Sequence, residues 1–132
     1  AKDGGWRDSG RTTMVVVASM NDLYLETKVQ SGPYLYEIVF SYDVAQNRYR
    51  VTSRDDQSGL IDVYEGEFSP SGALVVSNID SGTHYESGGK KIHNRLTFAP
   101  EPTGGWSWLV EATSDSGASW HPQIRSIARR GG

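Results

Sequence analysis

The sequence predicts an all-β protein, a single antiparallel up-and-down β-barrel of eight to ten strands. Apolar and polar residues alternate with a period of two over much of the chain, most clearly in residues 36–68. The 15 glycines and five prolines recur at intervals of about ten residues, which is typical of short strands joined by turns. No segment has helical periodicity. Because closure removes the exposed edges of a sheet this size, consecutive hairpins favour a barrel.

Composition and charge limit the classes of function. The chain has 132 residues, with 13 Lys and Arg against 16 Asp and Glu, a formal net charge of -3. The basic residues are scattered, so we expect no nucleic-acid partner. The absence of cysteine excludes disulfides, thiolate metal sites and cysteine nucleophiles. The longest apolar run, Met14 to Ala18, is far shorter than the ~18 residues that cross a bilayer, so we expect no membrane partner.

The length predicts one domain over residues 1–132. Residues 1–11 are polar and glycine-rich apart from Trp6, so we expect a loose lead-in there. We expect the protein to be a monomer or a weak homodimer. The chain begins at Ala1 without methionine, so a removed N-terminal leader and simple methionine excision both stay open. We expect a cytoplasmic location in preference to export.

Residues 36–68 contain three predicted strands and two turns. In the first strand every second residue is apolar or aromatic, which predicts the buried side. The second strand puts three arginines on the opposite side, where they face water. The third strand puts a carboxylate, Asp62, on the inward side. The residues predicted to face inward are Tyr36, Ile38, Phe40, Tyr42, Tyr49, Val51, Ser53, Leu60, Asp62, Tyr64, Gly66 and Phe68.

Similar alternation predicts strands on both sides of this region. On the second strand of the chain, Leu23, Leu25, Thr27 and Val29 are expected to point inward. Residues 79–91 are rich in glycine and serine and are expected to form either a short strand around residues 83–86 or a flap. The other predicted strands are Thr12 to Met20, Leu23 to Gln30, Ala73 to Asn78, Ile92 to Phe98, Trp106 to Ala112 and Trp120 to Arg129.

Three short motifs resemble a known family. They are YDVAQNRYR (Tyr42 to Arg50), VYEGEF (Val63 to Phe68) and SDSGASW (Ser114 to Trp120), the last followed by a strand that ends at Arg130. The chain resembles the lipocalin-like calycins, in particular an uncharacterised bacterial family of small β-barrels. The resemblance covers most of the chain from about residue 12. It implies a barrel that serves as a container for a small molecule.

The resemblance also implies a closure of one barrel end. Calycins carry a Gly-x-Trp near the start, whose indole packs on an arginine of the last strand, and Gly4-Gly5-Trp6 is similar to that motif. Arg125 or Arg129 would supply the partner by a cation-π contact. Trp6 departs from the pattern because it lies in a polar segment without a clear first strand. The alternative is that Trp6 merely covers an apolar edge.

The predicted interior combines aromatic rings with a few polar groups. A barrel of about eight strands either fills with side chains or holds one small ligand. Aromatic walls with a few polar groups are typical of ligand sites, so we predict that a small, largely apolar molecule binds inside. A filled interior would instead leave the outer face or the flap to bind a partner. The predicted ligand-binding residues are Tyr36, Phe40, Tyr49, Asp62, Tyr64, Asn94, Trp106 and Trp108.

Asp62 has two interpretations. As a buried base with a raised pKa, and with Tyr64 or Tyr49 as oxyanion donor, it would serve an isomerase or cyclase acting on a small hydrophobic substrate. The simpler interpretation, which we favour, places it at the barrel mouth near Gly59, partly solvated. Whether the protein is an enzyme stays open.

The histidines predict no metal site, because no two of them stand at a ligand spacing. We therefore predict no cofactor and no metal. His93 lies on an outward face by alternation and is expected to be solvated. A lipocalin-like barrel can hold haem through one histidine, so a haem-binding barrel with His84 or His121 as axial ligand is a further alternative.

Overall fold

The computed structural model describes Trp6 and residues 10–130, which contain ten β-strands and no helix. No helical segment in this part of the chain could therefore span a membrane. The strands are β1 (Thr13–Ser19), β2 (Tyr24–Ser31), β3 (Tyr34–Asp43), β4 (Arg48–Asp55), β5 (Ile61–Phe68), β6 (Leu74–Ser77), β7 (Tyr85–Ser87), β8 (Lys90–Pro100), β9 (Trp106–Thr113) and β10 (His121–Ala128).

The strands form one antiparallel sheet whose order follows the chain. The hydrogen-bonded path runs β1-β2-β3-β4-β5-β6-β8-β9-β10, and β7 pairs with β8. This confirms the predicted all-β, up-and-down architecture and the predicted strand number. The path begins at β1 and ends at β10, and these two strands share no ladder within the described residues. The sheet is therefore a curled barrel wall with two edges.

The concave side of the sheet holds the core. One ladder shows how alternation builds it, since Thr27, Ile38, Ser53 and Asp62 are successive cross-strand partners on β2 to β5. Phe40 on β3 meets Phe98 on β8 edge to face, with ring centroids 4.8 Å apart, so distant strands of the sheet touch. The buried apolar residues of this cluster are Val29, Ile38, Val51, Tyr64, Leu74, Val76, Leu96 and Phe98.

Burial departs from the prediction near the β1 edge. Leu25 shares the inward face of β2 with the buried Thr27 and Val29, yet it is 44% exposed, and Leu23 before it is exposed as well. The prediction that these leucines are buried is wrong. Alternation determines which face of a strand a side chain is on, but burial also needs another layer that covers that face. β2 is next to the edge strand β1, and little covers the inward face there.

The expected closure by Trp6 is not formed. Trp6 is 55% exposed. Within Trp6 and residues 10–130, the arginine–tryptophan stack joins Arg95 to Trp120, with the guanidinium 4.6 Å from the ring centroid, and no arginine stacks on Trp6. The prediction that Trp6 packs on Arg125 or Arg129 is therefore wrong. Most of the predicted lead-in, residues 1–5 and 7–9, lies outside the described residues.

The convex face carries a row of ion pairs across β3, β4 and β5. Glu65 accepts from Arg48 at 2.7 Å and from Arg50 at 3.0 Å, and Arg50 also pairs with Asp43. The predicted outward orientation of these arginines is confirmed. Exposed pairs contribute little stability singly, but this row favours one register between the three strands.

Residues 79–91 form a turn followed by the β7–β8 hairpin. The ring of His84 lies against that of His93, with centroids 5.1 Å apart. His93 is only 7% exposed, although it is on the convex face by alternation. The prediction that His93 is solvated is wrong because this segment folds back over β8.

Candidate functional site

A buried carboxylate stands at the centre of the candidate site. Asp62, on the inward face of β5, is 5% exposed. Its Oδ2 accepts hydrogen bonds from the Tyr64 hydroxyl at 2.8 Å and from Asn78 Nδ2 at 3.2 Å. Its Oδ1 accepts from Asn78 Nδ2 at 3.0 Å and from the Thr83 hydroxyl at 2.5 Å. The expectation of a partly solvated Asp62 is wrong, since the carboxyl group is buried and accepts hydrogen bonds from three protein side chains.

The end of β6 explains why these groups meet. β6 pairs with β5 only as far as Ser77, which leaves the start of β5 without a strand on that side. Asn78 Oδ1 accepts from the Asn94 backbone N–H at 2.7 Å, which attaches Asn78 to β8. The hydroxyl oxygen of Thr83 accepts from the Val63 N–H at 3.1 Å and so replaces the missing ladder bond.

The network determines what Asp62 and Tyr64 can do chemically. Both carboxylate oxygens of Asp62 are already occupied by donors, so the group is arranged as an anchor and presents no free lone pair to a substrate. Burial and then the negative charge of Asp62 raise the pKa of the Tyr64 hydroxyl, while hydrogen bonds with Asn94 and Ser53 lower it. Tyr64 therefore stays a protonated donor.

A second group of predicted residues forms an aromatic wall. Phe98 lies between Phe40 at 4.8 Å, Trp106 at 5.7 Å and Trp108 at 5.9 Å, measured between ring centroids. Two buried polar atoms of the concave face, Trp108 Nε1 and Thr27 Oγ1, have no hydrogen-bond partner in the protein. Buried polar atoms without partners are rare in folded proteins and call for an explanation.

The remaining predicted residues lie apart from these two groups. Tyr49 packs between Tyr42 at 4.8 Å and Phe68 at 5.0 Å. It therefore belongs to a separate aromatic group, which we name the Tyr49 cluster, and does not join Asp62. Tyr36 is exposed. Asp62 therefore meets Tyr64, and the alternative donor Tyr49 is placed elsewhere.

Two open hollows flank these groups. The first, of about 610 Å³, lies beside the Tyr49 cluster and has charged residues of both signs in its lining. The second, of about 630 Å³, lies where β1 approaches the ends of β9 and β10, and we name it the seam hollow. Its main lining residues are Met14, Val16, Trp106, Ala128, Arg129 and Arg130.

The histidines do not converge. His84 lies against His93, and His121 is exposed on β10. Among the residues that the structure describes, no group of three or more His, Cys, Asp or Glu side chains could hold a metal ion.

Sequence reasoning missed several members of the site. Asn78 shares the inward alternation of Leu74 and Val76, so its position was a usable signal for a buried amide. Thr83 gave no signal, because its role depends on how the segment after β6 folds back. Phe98, which connects the aromatic wall, was placed on a strand but not in the site.

The chain was compared with protein-family models, with curated proteins and with solved structures, and none of the three comparisons gave a match. Membership of the calycins therefore stays a prediction.

Proposed function

We propose that the protein binds a small, largely apolar molecule against the concave face of its sheet, with the seam hollow as the opening. The observation that carries the proposal is that two of the buried polar atoms without partners, Trp108 Nε1 and Thr27 Oγ1, lie on the concave face. A buried donor that bonds neither protein nor water costs about 1–3 kcal/mol. A ligand with one hydrogen-bond acceptor would recover this free energy.

The surroundings of Trp108 favour a flat or linear apolar ligand body. Phe98 stacks on Trp108, and Trp106, two residues earlier on the same face, lines the seam hollow. Trp106 also contacts Phe98, so one ring of the aromatic wall borders the hollow, which has the size typical of small-molecule sites, ~300–1,000 Å³. Because an indole N–H only donates, the ligand group that faces Trp108 must be an acceptor such as a carbonyl.

The Asp62 network has a supporting role in this proposal. It connects β5, the end of β6 and β8 through buried and partly buried hydrogen bonds, which makes these strands rigid. A rigid binding surface loses less conformational entropy when a ligand binds.

A matched pair of ligands tests the proposal. Titrations with 2-acetylnaphthalene and 2-ethylnaphthalene would be followed by the NMR signal of the Trp108 indole N–H. We expect the ketone to bind about fivefold more tightly, the value of one neutral hydrogen bond, and to shift the indole signal.

Trp108→Phe keeps an aromatic ring but removes the donor, so it should abolish the preference for the ketone. Trp120→Phe is the control, since Trp120 stacks on Arg95 on the other face of the sheet and should not affect the preference. Equal binding of the two ligands to the unaltered protein, or no binding of either, would contradict the proposal.

A further inference from the structure

The seam hollow combines an apolar floor with a cationic rim. Met14 and Trp106 pack against the core cluster, and Val16 beside them is 49% exposed. Arg129 and Arg130, which follow β10, complete the lining. An apolar surface next to two guanidinium groups is suited to a molecule that has an apolar part and a negatively charged group.

Among the residues that the structure describes, no carboxylate forms an ion pair with either arginine. On the convex face Arg48, Arg50, Arg54 and Arg95 are each paired with a carboxylate. Arg129 and Arg130, in contrast, have no ion pair with any other residue of the described chain, and no described Asp or Glu lines the hollow. The rim is thus positive although the chain as a whole has a net charge of -3.

Local packing keeps the arginines near the floor. A Cβ atom at Gly105 would lie only 2.1 Å from the Ala128 carbonyl oxygen, so the missing side chain allows the start of β9 to touch the end of β10. Ala128 pairs with Trp106 in the β9–β10 ladder, directly before Arg129. The cationic rim and the indole therefore belong to one rigid corner.

We infer that the ligand of the seam hollow is an amphipathic anion, with an apolar body on Met14, Val16 and Trp106 and a carboxylate-like head on Arg129 and Arg130. This head is distinct from the acceptor proposed to face Trp108. The inference rests on the proposed function, since it names the class of molecule that enters by this opening. Guanidinium groups bind carboxylates through charge-assisted and often bidentate hydrogen bonds, which supply the affinity that the apolar floor alone lacks.

Three ligands with twelve-carbon chains test the charge of the head group: dodecanoate, dodecanol and dodecyltrimethylammonium. Each is measured by calorimetry below its micelle concentration or, for dodecanol, below its solubility limit. We expect dodecanoate to bind roughly tenfold more tightly than dodecanol, and the ammonium compound most weakly. The preference for dodecanoate should fall as salt is added, because salt screens the exposed guanidinium groups.

Variants connect the effect to the rim. The double variant Arg129→Gln, Arg130→Gln should reduce dodecanoate affinity roughly tenfold and leave dodecanol affinity unchanged. Arg125→Gln removes an exposed arginine of β10 that does not line the hollow, so it should change neither affinity. All these positions are exposed, so circular dichroism should show that each variant folds.

The outcomes separate this inference from the proposed function. If dodecanol binds as tightly as dodecanoate, or if the double variant keeps its dodecanoate affinity, the inference of an anionic head is wrong. The proposed binding of apolar ligands would be unaffected by that result. If dodecanoate binds through the rim but the naphthalene pair shows no preference, the role of Trp108 is wrong and the anion site stands. If the protein binds only to anionic vesicles and not to monomeric dodecanoate, the inference is overturned in favour of a membrane surface.

Discussion

The amide nitrogen of Asn78 donates to both carboxylate oxygens of Asp62, at 3.0 and 3.2 Å, and both side chains are buried. The amide oxygen of Asn78 accepts from the Asn94 backbone. One side chain thus joins β5 to β8 at the place where β6 ends. Buried polar networks of this kind stabilise a fold only if each member is satisfied, so each donor here can be tested.

Asp62→Asn should destabilise the protein by about 3 kcal/mol. The amide oxygen of the new asparagine cannot accept hydrogen bonds from Asn78, Thr83 and Tyr64 together. Its NH2 group would be a donor that faces other donors. Urea unfolding at neutral pH measures the change. Glu67→Gln, at an exposed position of the same strand, is the control and should be nearly neutral. Equal stability of the two variants would show that the network contributes nothing.

Thr83→Ala should release the segment after β6 from β5. The Val63 N–H donates to the Thr83 hydroxyl, and the same hydroxyl donates to Asp62. We expect a loss of about 1–2 kcal/mol and faster hydrogen exchange of the Val63 amide. Thr83→Ser keeps the hydroxyl and should keep most of the protection. If the alanine and serine variants exchange alike, the hydroxyl is not the anchor.

Gly66→Ala should be strongly destabilising, by about 3 kcal/mol. A Cβ atom at this position would lie 1.9 Å from the Val75 carbonyl oxygen, so β5 and β6 must separate. Gly59→Ala is the matched control, because Gly59 has a φ of +74° but open space around it. Gly59→Ala should reduce the unfolding free energy by only ~1–2 kcal/mol, the cost of placing a residue with a Cβ atom in a left-handed backbone conformation. Chemical denaturation that ranks Gly59→Ala as the worse variant would refute the steric account.

Acid should destabilise the fold through carboxylates that are hydrogen-bonded in the native state. Hydrogen bonds from Ser119 and then Thr113 hold the pKa of Asp115 well below its ordinary value of 3.8. When the pKa of a carboxyl group is lower in the folded state than in the unfolded state, the ionised group stabilises the fold. This stabilisation is complete at a pH above the unfolded-state pKa and is lost as the pH falls through the folded-state pKa. The pKa of Glu65 is lowered in the same way by Arg50 and Arg48.

The test is to follow the unfolding free energy of Asp115→Asn and of the unaltered protein from neutral to acidic pH. The variant should be less stable at neutral pH, and the difference should shrink below pH 3.8 as the native carboxylate is protonated. A difference that is independent of pH would show that the carboxylate charge of Asp115 has no part in stability.

Arg95 and Trp120 should be energetically coupled. The guanidinium lies 4.6 Å from the ring centroid and also bonds Glu111 through two nitrogens at 3.0 Å. A double-mutant cycle with Arg95→Met and Trp120→Leu should give a coupling energy of about 0.5–1 kcal/mol. The Glu111 contact is lost in both arms of the cycle and cancels. Additive effects of the two substitutions would rule out the stack as a stabilising contact.

The sequence was sufficient to predict the class of fold, because alternation is a local property. The pattern around Ile38 and Val51 specified which face each strand buries, and turn residues specified where strands end. The sequence also identified Asp62 as an inward carboxylate next to Tyr64, and Trp106 and Trp108 as inward aromatic residues. These assignments follow from the alternation of side chains along a strand alone.

The sequence by itself therefore determined an all-β chain and the two faces of its central strands. Only the tertiary structure decided that Asp62 is saturated by Asn78 and Thr83, that His93 is covered and that Leu25 is exposed. The reason is physical: the face of a strand depends on neighbours in the chain, whereas burial and hydrogen bonding depend on which distant segments pack against that face.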